Sequence, residues 1–170
     1  MPTATYEKIE ARTLGSATAT VTFSTIPATY TDLVFVFNGG TTSSGPTMRM
    51  TVNGDSGANY SDTALDGDGS SAVSTRHSGA NFMAITNNVG IAGTLGAQTT
   101  IMQLQNYSNA TTYKTVLFRA NNATSSGFPG VTAAVGLWRN TAAITSISLT
   151  TASTTFLSGS TFTLYGIKAA

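Results

Sequence analysis

The hydrophobic pattern of the chain is densest over residues 33–37, where Leu33-Val34-Phe35-Val36-Phe37 runs without a polar break. Successive side chains of a strand point to opposite faces, so Leu33, Phe35 and Phe37 share one face and Val34 and Val36 the other. Both faces are apolar, which predicts a central strand covered on each side, by a second sheet or by another protein chain. Pro27 lacks a backbone donor and places a loop before this strand, and Asn38-Gly39-Gly40 closes it. Around it the apolar residues thin out into Thr, Ser, Gly and Asn.

Other segments alternate apolar and polar residues with the period of a half-wetted strand. Residues 18–24 set Ala19, Val21 and Phe23 against Thr18, Thr20, Thr22 and Ser24. Residues 47–52 place Met48, Met50 and Val52 inward and Thr47, Arg49 and Thr51 outward, before the turn signal Asn53-Gly54-Asp55. Further strands are expected over residues 3–9, 82–86, 99–107, 113–120, 131–138, 144–150 and 161–167, with a Gly-Pro break at Phe128-Pro129-Gly130. Residues 55–80 dissolve into Gly, Ser, Asp and Asn and read as one long interaction loop, and residues 87–97 as a shorter irregular one. No window has a 3.6-residue periodicity and no repeat is visible. The expectation is an all-β fold: one domain over residues 1–170, a jelly-roll β-sandwich of eight to ten antiparallel strands with long Gly/Ser/Asp-rich loops.

Composition sharpens this picture. Thr (32) and Ser (18) are abundant while charged residues are 9% of the chain, so β-branched hydroxyls, not charges, cover the outer faces of strands. Few Lys or Glu guard the strand edges, and such a surface suits a protein docked in an assembly. The net charge is +1 with no basic cluster, which argues against a nucleic-acid partner. The longest apolar run is far short of a membrane span, and Met1-Pro2-Thr3-Ala4 lacks the charged and apolar regions of a signal peptide. With no cysteine there is no disulfide, and a chain of 170 residues can bury enough surface to need neither disulfide nor metal.

Candidate chemistry is sparse. His77 is the single histidine; a hydrolase triad needs a base oriented by a carboxylate beside a nucleophile, and no nucleophile-elbow motif accompanies it, so a solvated loop residue is the plainer reading. Asp66-Gly67-Asp68-Gly69-Ser70 begins like a calcium loop but lacks the later bidentate Glu, and reads as a flexible turn. Trp138, beside Leu137 in an apolar strand, is expected in the core or at a subunit interface, whereas Tyr60 and Tyr107, near loops, are expected as exposed contacts. The two Glu both fall at the first strand, which leaves no evident carboxylate pair for glycoside hydrolysis. The Asn-x-Ser/Thr motifs at Asn59, Asn106, Asn109 and Asn122 are expected by chance in so Thr/Ser-rich a chain. No catalytic residue, cofactor or metal is expected.

Five blocks carry a resemblance: Tyr6-Glu7-Lys8-Ile9, the run over residues 23–33, Arg49-Met50-Thr51-Val52-Asn53-Gly54-Asp55 with Asn59-Tyr60, Gly136-Leu137-Trp138-Arg139, and the ending over residues 159–167. Together they resemble a family of tailed-bacteriophage virion proteins, common in phages of marine and freshwater bacteria, including cyanophages. The resemblance implies a non-enzymatic protein in one of two settings: a capsid cement or decoration protein, or a tail-fibre or adhesin domain that binds host-surface glycans. Because the 170 residues hold no coiled-coil stem and no virion-anchoring segment, the capsid exterior is the expected setting, reached by assembly in the host cytoplasm. The resemblance then implies a homotrimer on a local three-fold axis with the major capsid protein as partner, and neither nucleic acid nor membrane. Val34, Val36, Leu117 and Trp138 are the expected core or trimer seam. Asn59, Tyr60, Leu65 and Val73, within the long loop, are the expected grip on the shell or on a neighbouring subunit.

Overall fold

The computed structural model describes residues 5–86, 89–123 and 130–168. Among them are twelve strands: β1 (Tyr6–Thr13), β2 (Thr20–Phe23), β3 (Asp32–Gly39), β4 (Met48–Val52), β5 (Tyr60–Gly67), β6 (Ala72–Ala80), β7 (Met83–Ala84), β8 (Gln98–Gln105), β9 (Lys114–Asn122), β10 (Gly130–Trp138), β11 (Ile147–Thr151) and β12 (Thr161–Ile167). They form two antiparallel sheets. The larger has eight strands in the order β1-β12-β3-β8-β9-β10-β5-β6, and the smaller has four in the order β2-β11-β4-β7. The architecture is an all-β sandwich. Its division into eight and four strands is coarser than the jelly-roll connectivity expected from the sequence, and it is the division that decides which faces are covered.

The smaller sheet packs on one face of the larger, and the core lies between them. Leu33, Phe35 and Phe37 of β3 are fully buried there, with Met102 and Leu104 of β8, Val116 and Phe118 of β9 and Leu164 of β12. Opposite stand Val21, Phe23, Met48, Met50, Val52, Ile147 and Leu149 of the smaller sheet. The Phe35 ring meets Phe23 across the sheets edge-on at 5.0 Å, and Phe37, Phe156 and Phe162 form a second group with centroids 4.9–5.5 Å apart. Aromatic pairs at such distances, edge-on or tilted, contribute about 0.5–1.5 kcal/mol each beyond the area they bury. Gly136 of β10 marks how close the layers are: a Cβ there would sit 2.4 Å from the Met83 sulfur and 2.9 Å from the Phe118 ring.

The central strand, the alternating strands around residues 20–23 and 48–52, and the last strand over residues 161–167 lie where the hydrophobic pattern puts them. The first strand extends past Ile9 to Thr13, because Glu10 and Arg12 stay in register with β12 after a bulge between Lys8 and Glu10 and pair with each other at 2.5 Å. Thr3, Ala4, Asn87, Asn88, Phe128 and Pro129, assigned to a strand, a loop and a break by the sequence, lie outside the described residues.

The largest correction concerns residues 55–80. They are not a long loop but mostly the hairpin β5–β6, paired from Tyr60↔Ala80 to Gly67↔Ala72 with a bulge beside Tyr60. Besides the β5–β6 turn over residues 68–71, the connection over residues 53–59 is irregular, and it begins with Asn53 (φ 53°) and Gly54 (φ 66°) in the left-handed region, the geometry of a type I′ turn closed by the Asp55 N–H to Val52 carbonyl bond at 3.0 Å.

Burial on the two faces of the larger sheet leads to a direct expectation. Phe35→Ala should lower unfolding free energy by about 3–5 kcal/mol, the usual cost of deleting a fully buried aromatic ring. Leu65→Ala, on the outer face, should change it by less than about 0.5 kcal/mol. Urea melts followed by circular dichroism compare the two, and equal losses would contradict the assignment of inner and outer faces.

Candidate functional sites on the larger sheet

Three places gather the side chains to which the sequence directs attention. The first is the turn before β5. Asp55 accepts hydrogen bonds from the Trp138 indole Nε1 at 2.7 Å, the Gly57 N–H at 2.8 Å and the Asn59 side-chain amide at 2.9 Å. These three donors, the indole first, hold the Asp55 carboxyl below its ordinary range. The Tyr60 hydroxyl donates to the Asp55 carbonyl at 3.0 Å and accepts from the Val52 N–H at 3.1 Å, linking the two sheets. Burial, opposed by the Val52 bond, pushes the Tyr60 hydroxyl up to about 12.

Tyr60 and Trp138 are therefore core residues and not contacts for a partner, and Asn59 braces the same turn. Tyr107 is likewise buried, with its hydroxyl donating to the Pro27 carbonyl. The expectation that Tyr60 and Tyr107 are exposed is corrected: each ring sits in the core because its hydroxyl finds a backbone partner there.

The second place is His77. It lies on β6, an edge strand, not in a loop, opposite Asp62 of β5. Its Nδ1 is 2.8 Å from Asp62 Oδ1, and the Ala84 N–H of β7 donates to Asp62 Oδ2 at 3.2 Å. The carboxylate is fully buried while the imidazole is about half exposed. A buried carboxylate that orients an imidazole is two-thirds of a hydrolytic triad. Among the described residues no hydroxyl bonds the imidazole, and through Asp62 the pair ties the sheet edge to the Ala84 N–H of the smaller sheet. Fifteen residues separate the partners, and no sequence motif announces them.

The apparent calcium loop also resolves. Asp66 points inward and accepts from Thr132 Oγ1 at 2.6 Å, whereas Asp68 caps the β5–β6 turn. The Ser71 and Ser70 N–H groups, at 2.7 and 2.8 Å, hold the Asp68 carboxyl well below the usual carboxylate range. The two carboxylates serve different ends of the hairpin, and no group of three metal-ligating side chains occurs among the described residues.

The third place is the outer face of the larger sheet. Register sets Arg76, Thr63, Val135, Leu117, Gln103 and Val34 side by side across six strands. In the next row stand Leu65, Ala133, Arg119, Ile101 and Val36. Val34 is buried in its row and Val36 half-buried, but Leu65 is 64% exposed, and Leu117, Val131 and Val135 are exposed beside it. Thus Val34, Val36, Leu65 and Leu117 do share one face, uncovered by the smaller sheet. Val73 is exposed too, but opposite Asp66, whose side chain points to the other face. Val131, Val135, Arg76, Arg119 and Arg139 belong with this outer surface and were not singled out by sequence; strand register is the signal that collects them.

The Asp55 turn supplies a pH test. Its carboxyl is lowered on folding, so its contribution to stability is present above the unfolded value of about 3.9 and is lost as pH falls through the folded value. Trp138→Phe removes the leading donor. It should lower stability at pH 7 and flatten the dependence on pH below about 4, as read from urea midpoints by circular dichroism. An unchanged acid slope would show that the indole bond does not set the carboxyl's titration.

No protein-family model matches this sequence, and no curated protein is similar to it. A solved structure described as a "Putative pore-forming toxin from Bacteroides vulgatus ATCC 8482" aligns at 9% identity with a TM-score of 0.13, over 91% of this chain and 60% of that one. The chain thus spans less than two thirds of that protein, and a likeness this low carries no argument about fold or activity.

Proposed function

We propose that the chain is a non-enzymatic virion structural protein, a capsid cement or decoration protein that docks on the assembled phage shell as a homotrimer and stabilises it. The observation that carries this reading is the uncovered aliphatic face of β5, β10 and β9, where Leu65, Leu117, Val131 and Val135 stand exposed in adjacent register positions. Contiguous exposed apolar patches rimmed by polar residues commonly mark docking sites. The resemblance to phage virion proteins supplies the setting, and the sparse charge agrees with a surface that is covered in use.

The mechanism is mechanical. A protein that binds only the assembled lattice stabilises that lattice by mass action, and three linked copies turn modest single contacts into firm attachment. The partner in this reading is the major capsid protein, and the location is the capsid exterior. The glycan-binding alternative looks to exposed aromatics such as Tyr60 or Tyr107, and these two are core residues, so the docking reading is preferred.

Quantitative mass spectrometry of purified virions tests the proposal. The expected result is a ratio to the major capsid protein near one to one. A handful of copies per particle would overturn the capsid-wide role and move the protein to the tail or portal vertex.

A further inference from the structure

We infer that the outer face of the larger sheet holds a two-part site for an extended protein segment presenting a carboxylate beside aliphatic side chains. This rests on the docking reading above and names the chemistry of the partner. Two depressions adjoin there, both bounded by Thr63 and Val135. One, of about 250 Å³, is lined by Arg76 and Arg139 with the hydroxyl residues Ser61, Thr63 and Ser78, and also by Asp62 and His77, which pair with each other. The other, of about 540 Å³, is shallower and lined by Leu65, Leu117, Ala133 and Val135, with Arg119 in its wall.

Charge selects the occupant. None of Arg76, Arg119 and Arg139 forms an ion pair among the described residues, whereas Glu7, Glu10 and Asp62 each have a basic or imidazole partner within the chain. Asp32, Asp55, Asp66 and Asp68 are each held by hydrogen bonds within the chain. The chain's own carboxylates are all engaged, Asp62 with His77 and the Ala84 N–H at the wall of this same depression, so the three guanidinium groups on this face have no ion-pair partner among the described residues. Arg139 is also held ready: its guanidinium donates to the Ala58 carbonyl at 2.8 Å, the Tyr60 carbonyl at 3.3 Å and the Ser61 hydroxyl at 3.2 Å. A fixed guanidinium loses little freedom on binding a carboxylate.

The apolar half narrows the class further. Its exposed lining is aliphatic, which fills with aliphatic side chains and offers no ring on which a sugar or a base would stack. Three guanidiniums are also few for a nucleic-acid backbone. Strands lie about 4.8 Å apart, so β6 to β9 spans about 14 Å, the length of four or five extended residues.

The probes are Ac-Asp-Val-Leu-Val-Glu-amide, its Asn/Gln counterpart, and a sulfated heparin disaccharide, each titrated into the ¹⁵N-labelled protein. The acidic peptide should move the amides of Ser61, Thr63, Ser78 and Val135, bind about tenfold more tightly than its neutral counterpart, and weaken as salt rises. Arg76→Glu and Leu117→Ser, both at exposed positions, should each reduce that affinity about tenfold while leaving the dispersed spectrum of the folded protein intact. Equal binding of the two peptides, no saturation by about 5 mM, indifference to Arg76→Glu, or tighter binding of the disaccharide would each overturn the inference. Failure here with near-stoichiometric copies on the virion would fault this surface alone. Peptide binding with only a handful of copies would fault the virion setting alone.

Discussion

The packing of phenylalanine rings between the sheets is the interaction on which the rest of the structure depends. Phe35 of β3 meets Phe23 of β2, and Phe37, Phe156 and Phe162 close the neighbouring gap. This cluster joins the longest run of apolar residues to the smaller sheet, and its rings are fully buried. It also has a geometrical consequence. Four short strands cannot form a second layer on both faces of an eight-stranded sheet, so the inner face takes the core and the outer face must meet water or a partner. Much of the outer face is Thr, Gln, Ser and Asn, β-branched or flexible polar residues that tolerate solvent. Aliphatic side chains run across it from β5 to β3, and those around β5, β10 and β9 (Leu65, Leu117, Val131 and Val135) are the exposed ones.

The same region has an unusual distribution of charge. Along β5 the inward positions are Tyr60, Asp62, Ala64 and Asp66, while Leu65 faces out. Burying an ionised carboxylate is costly unless hydrogen bonds replace its water. Here they do: His77 and the Ala84 N–H serve Asp62, and Thr132 serves Asp66. With these acids turned inward and held there, the arginines of the outer face form no ion pair among the described residues. The buried network and the basic, aliphatic outer surface are thus two results of one alternation.

That inversion explains what was legible in the sequence. Strands such as Met48–Val52 and Thr161–Ile167 alternate apolar-in and polar-out, and their positions and faces follow from the pattern alone. Tyr60–Gly67 alternates the wrong way round, and Ala72–Ala80 is polar on both faces, so together they read as a loop although they pair along their whole length. Leu65 and Leu117 were visible as apolar residues of interest. Their union with Val135 and Arg76 was not, because it is made by register across four strands and not by proximity in the chain. Tyr60, Tyr107 and Trp138 were misplaced or left open for a different reason. Whether an amphipathic ring is buried depends on whether its polar atom meets a partner inside, and that is settled only by the turn that carries Asp55 or by the approach of Pro27.

How the sheet ends is the last constraint on its use. An eight-stranded sheet has two free edges, and with so few charges each could pair with another chain. At one end β1 carries Glu7, Lys8, Glu10 and Arg12 and a bulge, a concentration of charge found nowhere else in the chain. At the other, β6 carries Arg76 and His77, breaks register beside Gly79 (φ 65°), and is tied inward through Asp62. Both edges therefore carry features that discourage strand addition. On the docking reading proposed above, contact with another protein falls to the faces, where side chains and not backbone groups decide the partner. On the outer face, the aliphatic strip beside unpaired guanidiniums is the part with the chemistry to make that choice.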